Sequence, residues 1–333
     1  MRGHPTTDRR TFIWTVASVL VAVPRAGRAQ STAKTARVGY LSLSPRVASG
    51  IATSTVVTRL AELGYVEGKN LVIEFRYADT VDRLQDIATE FVRAGVQVIV
   101  APNPYALRAA RAATTVVPIV GYDMETDPVA AGYATSLARP GGNITGVFLD
   151  QSDVSAKQLQ LLKEIVPGLS RVAVLWDAPL ATAQREAVEA AGRRLNVKVT
   201  PIVWHGPDRL PEQLRSATRS GSQGLIVLSS PRILDRTYRG PVAAAALQAR
   251  LPAISLTGIF AHDGLLVTYG PVQPDLYRAV ATMIAKILNG AQPADLPIER
   301  PVHFALVINQ KTAKLLSLTV PSSILLRADQ VIQ

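Results

Sequence analysis

The strongest constraint on the fold is a repeated alternation of short apolar segments with stretches of helical periodicity. Residues 96–101 (VQVIVA) and 224–228 (GLIVL) are continuous apolar runs of the kind that a parallel sheet buries on both faces. Residues 81–94 and 155–166 place their apolar side chains at helical spacing. Strands that alternate with helices along a chain predict an α/β fold with doubly wound, mostly parallel sheets.

The alternation occurs twice, before and after residues 127–149. Asp127 followed by Pro128 predicts the start of a short helix, because Asp caps a helix and Pro fits its first position. Residues 139–143 (RPGGN) predict a tight turn, and residues 145–149 predict a strand. We interpret this stretch as the first crossing between two similar lobes, with a ligand bound where the chain crosses.

The length of 333 residues indicates about two domains of roughly 150 residues each. The first lobe is predicted to contain residues 36–146 plus about 270–300, and the second residues 147–269 plus about 301–333. The predicted fourth strand of the first lobe is residues 116–120. Residues 320 onward are predicted to be a tail packed on a lobe.

The N-terminal residues 1–29 have the pattern of an export signal. Arg9 and Arg10 form an arginine pair, an apolar stretch follows at residues 12–23, and Ala29 ends a plausible cleavage site. The arginine pair favours the twin-arginine route, although such pairs also occur in general secretion signals. The mature protein is therefore expected to be periplasmic, cleaved near Ala29, with no insertion into the membrane.

The formal net charge of +11 raises the question of nucleic-acid binding. The first 29 residues hold five Arg and one Asp, so that the net charge of the remainder is +7. The remaining Arg and Lys are scattered, with no run of three. A nucleic-acid groove needs a clustered patch or a recognisable module, so we expect no nucleic-acid partner.

The usual motifs of catalysis and cofactor binding are absent from the sequence. It has no GxxxxGK[ST] phosphate loop, no GxGxxG after the first strand, no GxSxG and no HExxH. It also lacks Cys, and its three later His residues are far apart. Asp123, Glu125 and Asp127 lack the later Gly and Glu of a calcium loop, so capping is favoured. We expect no cofactor, no metal and no enzymatic activity.

In open α/β sheets, ligands bind beyond the carboxyl ends of the strands, and facing lobes bring these ends to one cleft. Ser and Asn there are able to hydrogen-bond a carboxylate, Asp to pair with an amino group, and Tyr to stack on a flat ligand. Each also has an ordinary role in a turn, a cap or a solvated loop. The candidate ligand-binding residues are Ser42, Ser44, Asn103, Tyr105, Asp123 and Asp127 in the first lobe and Asp177, Ser229, Ser230, Arg232 and Thr257 in the second.

Several long motifs resemble one known family. They are DPV (127–129), PGGNITG (140–146), LQLLKEIVPGLSRVAVLWDA (159–178), DGLLVTYGP (263–271), KILNGAQPADLPIE (286–299) and FALVINQKTAKLLSLTVPSSILLRADQVI (304–332). Together they resemble the substrate-binding proteins of ABC importers, in the group with tryptophan- and tyrosine-binding members. The resemblance implies a type I periplasmic-binding-protein fold, with two Rossmann-like lobes and a hinge of about three crossing segments.

The resemblance also implies the partners. They are a small-molecule solute, with an aromatic amino acid or a related carboxylate favoured, an ABC permease and its cytoplasmic ATPase. The protein is expected to be a monomer. Two alternatives remain open: a sensory protein that presents its solute to a receptor, and, less favoured, an enzyme on the same fold.

Overall fold

The computed structural model describes residues 35–43, 50–149, 151–178 and 180–333. The predicted export signal, residues 1–29, and Ser44 lie outside the described residues. The description below concerns the compact unit Thr35–Gln333.

The first part of the chain alternates strands and helices as the sequence predicts. Its elements are β1 (Ala36–Ser42), α1 (Gly50–Glu62), β2 (Leu71–Tyr77), α2 (Arg83–Arg93), β3 (Val98–Ala101), α3 (Pro104–Ala113), β4 (Ile119–Asp123) and β5 (Ile144–Phe148). The five strands form a parallel sheet in the order β2-β1-β3-β4-β5.

The second part repeats the alternation and then adds further elements. They are α4 (Ser152–Ile165), β6 (Arg171–Trp176), α5 (Thr182–Leu195), β7 (Lys198–Val203), α6 (Leu210–Arg219), β8 (Leu225–Val227), α7 (Arg236–Gln248), β9 (Ala253–Ser255), α8 (Gly258–His262), β10 (Val267–Pro271), α9 (Gln273–Leu288), a 3-10 turn (Pro293–Asp295), β11 (Phe304–Asn309), α10 (Gln310–Leu315), α11 (Ser322–Leu325) and β12 (Gln330–Ile332). The seven strands form a sheet in the order β12-β11-β10-β9-β8-β6-β7, in which only the β10–β11 pair is antiparallel.

Apolar side chains cover both faces of each sheet, as expected for continuous apolar strands. In the first lobe, Val98 and Val100 of β3 point to the cluster shared with α1 and α9, and Ile99 points to the cluster shared with α2 and α3. In the second lobe, Val174 of β6 packs with α4 and α5, and Leu175 packs with α6 and α7. Both lobes are therefore doubly wound.

The chain passes between the sheets three times. The first passage lies between β5 and α4, because β5 belongs to the first sheet and α4 packs on α5, β9 and β10. The second lies between β10 and α9, which packs on α1, β3, β4 and β5. The third follows Glu299, which bridges to Val147 of β5, and leads into β11 of the second sheet.

Three parts of the chain differ from the elements predicted from the sequence. The short helix predicted after Asp127 is wrong: residues 128–132 form turns, because Asp127 Oδ1 accepts from the Val129 and Ala130 amides and Gly132 (φ +67°) then redirects the chain. The strand β4 begins and ends three residues later than predicted. The C-terminal tail contains α11 and β12, and β12 extends the second sheet beside β11.

Candidate functional site

A cavity of about 620 Å³ lies between the two lobes. It is bounded by the carboxyl ends of β1, β3 and β4 in the first lobe and of β8 and β9 in the second, where the direction of parallel strands predicts a binding site. Its lining residues are Tyr40, Ser42, Gly50, Ala52, Ser54, Pro102, Asn103, Tyr122, Met124, Glu125, Pro271, Gln273 and Tyr277, with Ser229, Pro231, Leu234, Asp235, Arg239, Leu256, Thr257, Ile259 and Asp263 from the second lobe.

Three tyrosines form the aromatic part of the first-lobe wall. Tyr122 at the end of β4 and Tyr277 in α9 lie with ring centroids 5.1 Å apart in a tilted pair. Tyr40 on β1 is buried and packs on Phe75, with a centroid distance of 5.2 Å. Burial raises the pKa of all three hydroxyls, so they stay neutral and are available as hydrogen-bonding groups. The wall therefore presents flat aromatic faces and a few hydroxyl groups able to form hydrogen bonds.

Glu125 is the carboxylic acid that the first lobe brings to the cavity. It follows β4 and is half-buried, and it accepts a hydrogen bond of 2.5 Å from Ser229 Oγ of the second lobe. Burial raises the pKa of Glu125 to about 8, and the neighbouring Asp123 carboxylate contributes to the rise. This hydrogen bond joins the two lobes across the cavity.

The other charged residues of the wall come from the second lobe and have partners there. Arg239 Nε donates to Asp263 Oδ2 at 2.6 Å, and its Nη1 donates to the Leu234 carbonyl oxygen. Asp235 is the N-cap of α7, since its Oδ1 accepts from the Thr237 amide at 2.8 Å. These contacts hold the guanidinium and both carboxylates in place.

The N-terminus of α1 also faces the cavity. Gly50, Ala52 and Ser54 from its first turns are lining residues, and the helix is 13 residues long. The first amides of a helix have no partner within the helix and carry a partial positive charge. This end of the cavity therefore has the chemistry to receive a carboxylate.

Four of the residues singled out in the sequence line this cavity: Ser42, Asn103, Ser229 and Thr257. Asn103 has a second task, because its Oδ1 accepts from the Ala106 amide at 2.9 Å and so caps α3. Thr257 is buried, and its hydroxyl has no hydrogen-bond partner among the described residues. A hydroxyl in that position is available to a bound molecule.

Four others form a separate cluster, away from the cavity lining. Asp177 is buried, accepts from Ser230 Oγ at 2.8 Å and pairs with Arg232 Nη1 at 3.2 Å. Tyr105, at the start of α3 in the first lobe, lies beside them: burial raises the pKa of its hydroxyl, Asp177 raises it further, and Arg232 lowers it. The cluster therefore brings side chains of the two lobes together.

Asp123 and Asp127 act on the loop that follows β4. Asp123 is buried, and its Oδ1 accepts from the amides of Glu125 and Thr126. Burial raises the pKa of Asp123, and the hydrogen bonds of its loop oppose the rise. Asp127 caps the next turn. Neither residue lines the cavity, and whether any of the predicted residues contacts a ligand remains a prediction.

The sequence reasoning did not single out Tyr40, Tyr122, Glu125, Asp235, Arg239, Asp263, Gln273 or Tyr277 as ligand-binding residues. Glu125 had a usable signal, because it lies in the loop after the strand predicted at residues 116–120. Arg239 and Tyr277 lie within helices, and only the packing of α7 and α9 brings them to the cavity. Among the described residues there is no cluster of three or more potential metal ligands. Within the same residues, no helix is long and apolar enough to cross a bilayer.

Two doubly wound lobes, three crossing segments and a cavity at the strand ends define a two-lobed solute-binding protein of the type I periplasmic-binding-protein fold. The ABC transporter substrate binding protein family matches residues 49–332, and the chain belongs to that family.

Individual relatives agree with this assignment. The Tyrosine-binding protein of Clostridioides difficile (strain R20291) is 25% identical over 271 residues, which cover 79% of this chain and 75% of the relative. A conserved domain protein from Vibrio cholerae superposes with a TM-score of 0.81 at 25% identity, over 90% of this chain and 100% of that one. An ABC domain from Streptococcus pneumonia in complex with L-Trp superposes with a TM-score of 0.79 at 23% identity, over 90% of this chain and 100% of that one.

Proposed function

We propose that the protein captures a small organic solute in the interlobe cavity and delivers it to an ABC importer, composed of a permease and a cytoplasmic ATPase. The observation that carries this proposal is a cavity of about 620 Å³ whose wall comes from both lobes. Lobes joined by crossing segments close around a ligand by a hinge motion, and this volume suits a small molecule. The family assignment supports the same role.

An aromatic amino acid, or a related aromatic carboxylate, is the solute class that the wall favours. Tyr40, Tyr122 and Tyr277 provide faces for an aromatic ring, and the N-terminus of α1 provides amides for a carboxylate. The likeness to a protein named for tyrosine binding and to a structure holding L-Trp supports this choice. Ser42, Asn103, Ser229 and Thr257 would then supply polar contacts.

The mode of action that we propose is binding and release without catalysis. The lobes comprise residues 36–146 with about 270–300, and residues 147–269 with about 301–333. Cleavage near Ala29 produces the mature chain, which is periplasmic and monomeric. Tyr105, Asp177, Ser230 and Arg232 contribute to closure, and Asp123 and Asp127 shape the loop that carries Glu125.

Thermal unfolding of residues 30–333 with a panel of amino acids, aromatic acids and small carboxylates tests the proposal. A ligand at about 100 times its dissociation constant adds about 2.7 kcal/mol to stability. We expect a rise of a few degrees in the melting temperature with one aromatic class. A panel in which no solute shifts the melting temperature would contradict the proposed solute class.

A further inference from the structure

The charged side chains around the cavity differ between the lobes in whether they have a charged partner or a capping role. In the second lobe, Arg239 and Asp263 pair with each other, and Asp235 caps α7. In the first lobe, Glu125 is the carboxylic acid on the described part of the wall, and within the described residues no cation forms an ion pair with it. Its contact across the cavity is the hydroxyl of Ser229. Glu125 also has hydrogen bonds with the Asp123 carboxyl and the Met124 backbone, and none of its partners supplies a positive charge.

We propose that Glu125 is the residue that selects the solute, by holding its ammonium group against the first-lobe wall, so that a solute must carry a protonated amine to bind tightly. This inference rests on the proposed solute-binding function and narrows its solute class. Aromatic acids without an amine are excluded, because they bring no cation to Glu125 and the adjacent Asp123.

The raised pKa of Glu125 provides a second test of the proposal, which is the release of a proton when the solute binds. The groups facing it are Asp123 and Tyr122 of β4 and, from the second lobe, Ser229. Burial raises the pKa of Glu125 to about 8, so at neutral pH the carboxyl holds a proton while the cavity is empty. An ammonium group favours the carboxylate and displaces that proton. Binding is therefore accompanied by proton release, and affinity increases from about pH 6 to about pH 8.

Calorimetric titration with matched trios tests the amine requirement. One trio is L-tyrosine, tyramine and desaminotyrosine, which share a ring and differ in the amine and the carboxylate. Corresponding trios are built on the phenylalanine and tryptophan skeletons. We expect binding by amine-bearing members of at least one trio and none by its amine-free acid. An amine-free acid that binds as tightly as the amino acid would overturn this inference and leave the proposed function standing. If no member of any trio binds, both this inference and the proposed function are overturned.

Proton release is measured on the unaltered protein, with the best binder, in two buffers of different ionisation enthalpy. We expect between about half and one proton to be released per solute at neutral pH. Glu125→Gln keeps an oxygen to accept from Ser229 but removes the charge, so affinity for amine-bearing solutes should fall about ten- to a hundredfold and proton release should vanish. Glu67→Gln, at an exposed carboxylate in the turn after α1, is the matched control and should change neither. Unchanged affinity and proton release in Glu125→Gln would overturn the proposal.

Discussion

At the scale of single residues, Glu125 dominates the electrostatics of the first-lobe wall. It lies next to Asp123 in the same loop, and the Ser229 hydroxyl reaches it from the opposite lobe. Two neighbouring carboxylates in a partly buried loop repel each other when both are charged, so one of them retains its proton more strongly. The protonation of this carboxyl pair in the ligand-free protein therefore depends on pH.

This protonation state predicts a pH dependence of ligand-free stability. The pKa of Glu125 is raised from its ordinary 4.5 to about 8 in the folded chain, so between these values the folded state binds more protons than the unfolded state. Stability contributed by the protonated group is present at low pH and is lost as the pH rises through about 8. The melting temperature of the unaltered protein, relative to Glu125→Gln, should therefore fall from about pH 5 to about pH 8. A constant difference over this range would contradict the account, and Glu67→Gln serves as the control.

Residue-level reasoning from the sequence located part of the cavity wall. Ser42 ends an apolar strand, and Asn103 and Ser229 follow two others. Because the ends of parallel strands meet at one edge, the place of these residues on the wall was predictable. Tyr277 and Arg239 were not predictable in this way. Each lies inside a helix, where helical periodicity gives the face of the side chain but not the element that it meets.

At the scale of elements, the pairing of β4 with β5 depends on a glycine in β5. Gly121 and Gly146 are register partners, and Gly146 has a φ of +149°. A Cβ at position 146 would lie 2.0 Å from the Gly121 carbonyl oxygen. The edge strand β5 approaches β4 so closely because residue 146 has no side chain.

Gly146→Ala is therefore expected to be strongly destabilising. The backbone must move and adopt a strained φ, which should cost about 3 kcal/mol or more in the free energy of unfolding measured with denaturant. Gly142→Ala is the matched control, since a Cβ there meets nothing within 4 Å, and it should change stability by less than about 0.5 kcal/mol. Equal effects of the two substitutions would show that the close approach does not limit this pairing.

Regular elements were predictable because their apolar periodicity is strong, as in α2, whose predicted limits of 81–94 lie within two residues of those in the structure. The turn after Asp127 was mispredicted because an Asp-Pro pair starts an isolated turn as readily as a helix. The three-residue strand β12 was missed because its residues are exposed or half-buried, and only its pairing with β11 defines it.

At the scale of the whole molecule, side chains join the lobes at two places. One is the hydrogen bond from Ser229 to Glu125, and the other is the cluster of Tyr105, Asp177 and Arg232. Both depend on the approach of the lobes and both would be lost if the lobes separated. Closing contacts of this kind raise the population of the binding-competent state and hence the apparent affinity.

Arg232→Ala is expected to favour an open arrangement. The substitution removes the group that lies between Asp177 of the second lobe and Tyr105 of the first. The radius of gyration of the ligand-free protein in small-angle scattering should increase, and solute affinity should fall about three- to tenfold. Arg93→Ala, at an exposed position at the end of α2, is the control. Scattering and affinity that match the unaltered protein would contradict a role of this cluster in closure.

The architecture itself followed from the sequence because the strand and helix alternation and the return of α9 to the first lobe leave few topologies. The contacts that join the lobes did not follow, since they lie between loops far apart in the sequence. Those contacts create the cavity on which the functional account depends.

The most direct test of that account is calorimetric titration of the solute that gives the largest thermal shift, into the unaltered protein and into Ala52→Phe. Ala52 lines the cavity at the start of α1, whereas Ala61 lies exposed on the same helix, so that Ala61→Phe is the matched control. The account predicts one bound solute per chain in the unaltered protein and the control, and a loss of binding in Ala52→Phe. Full binding by Ala52→Phe would contradict it and place the solute elsewhere.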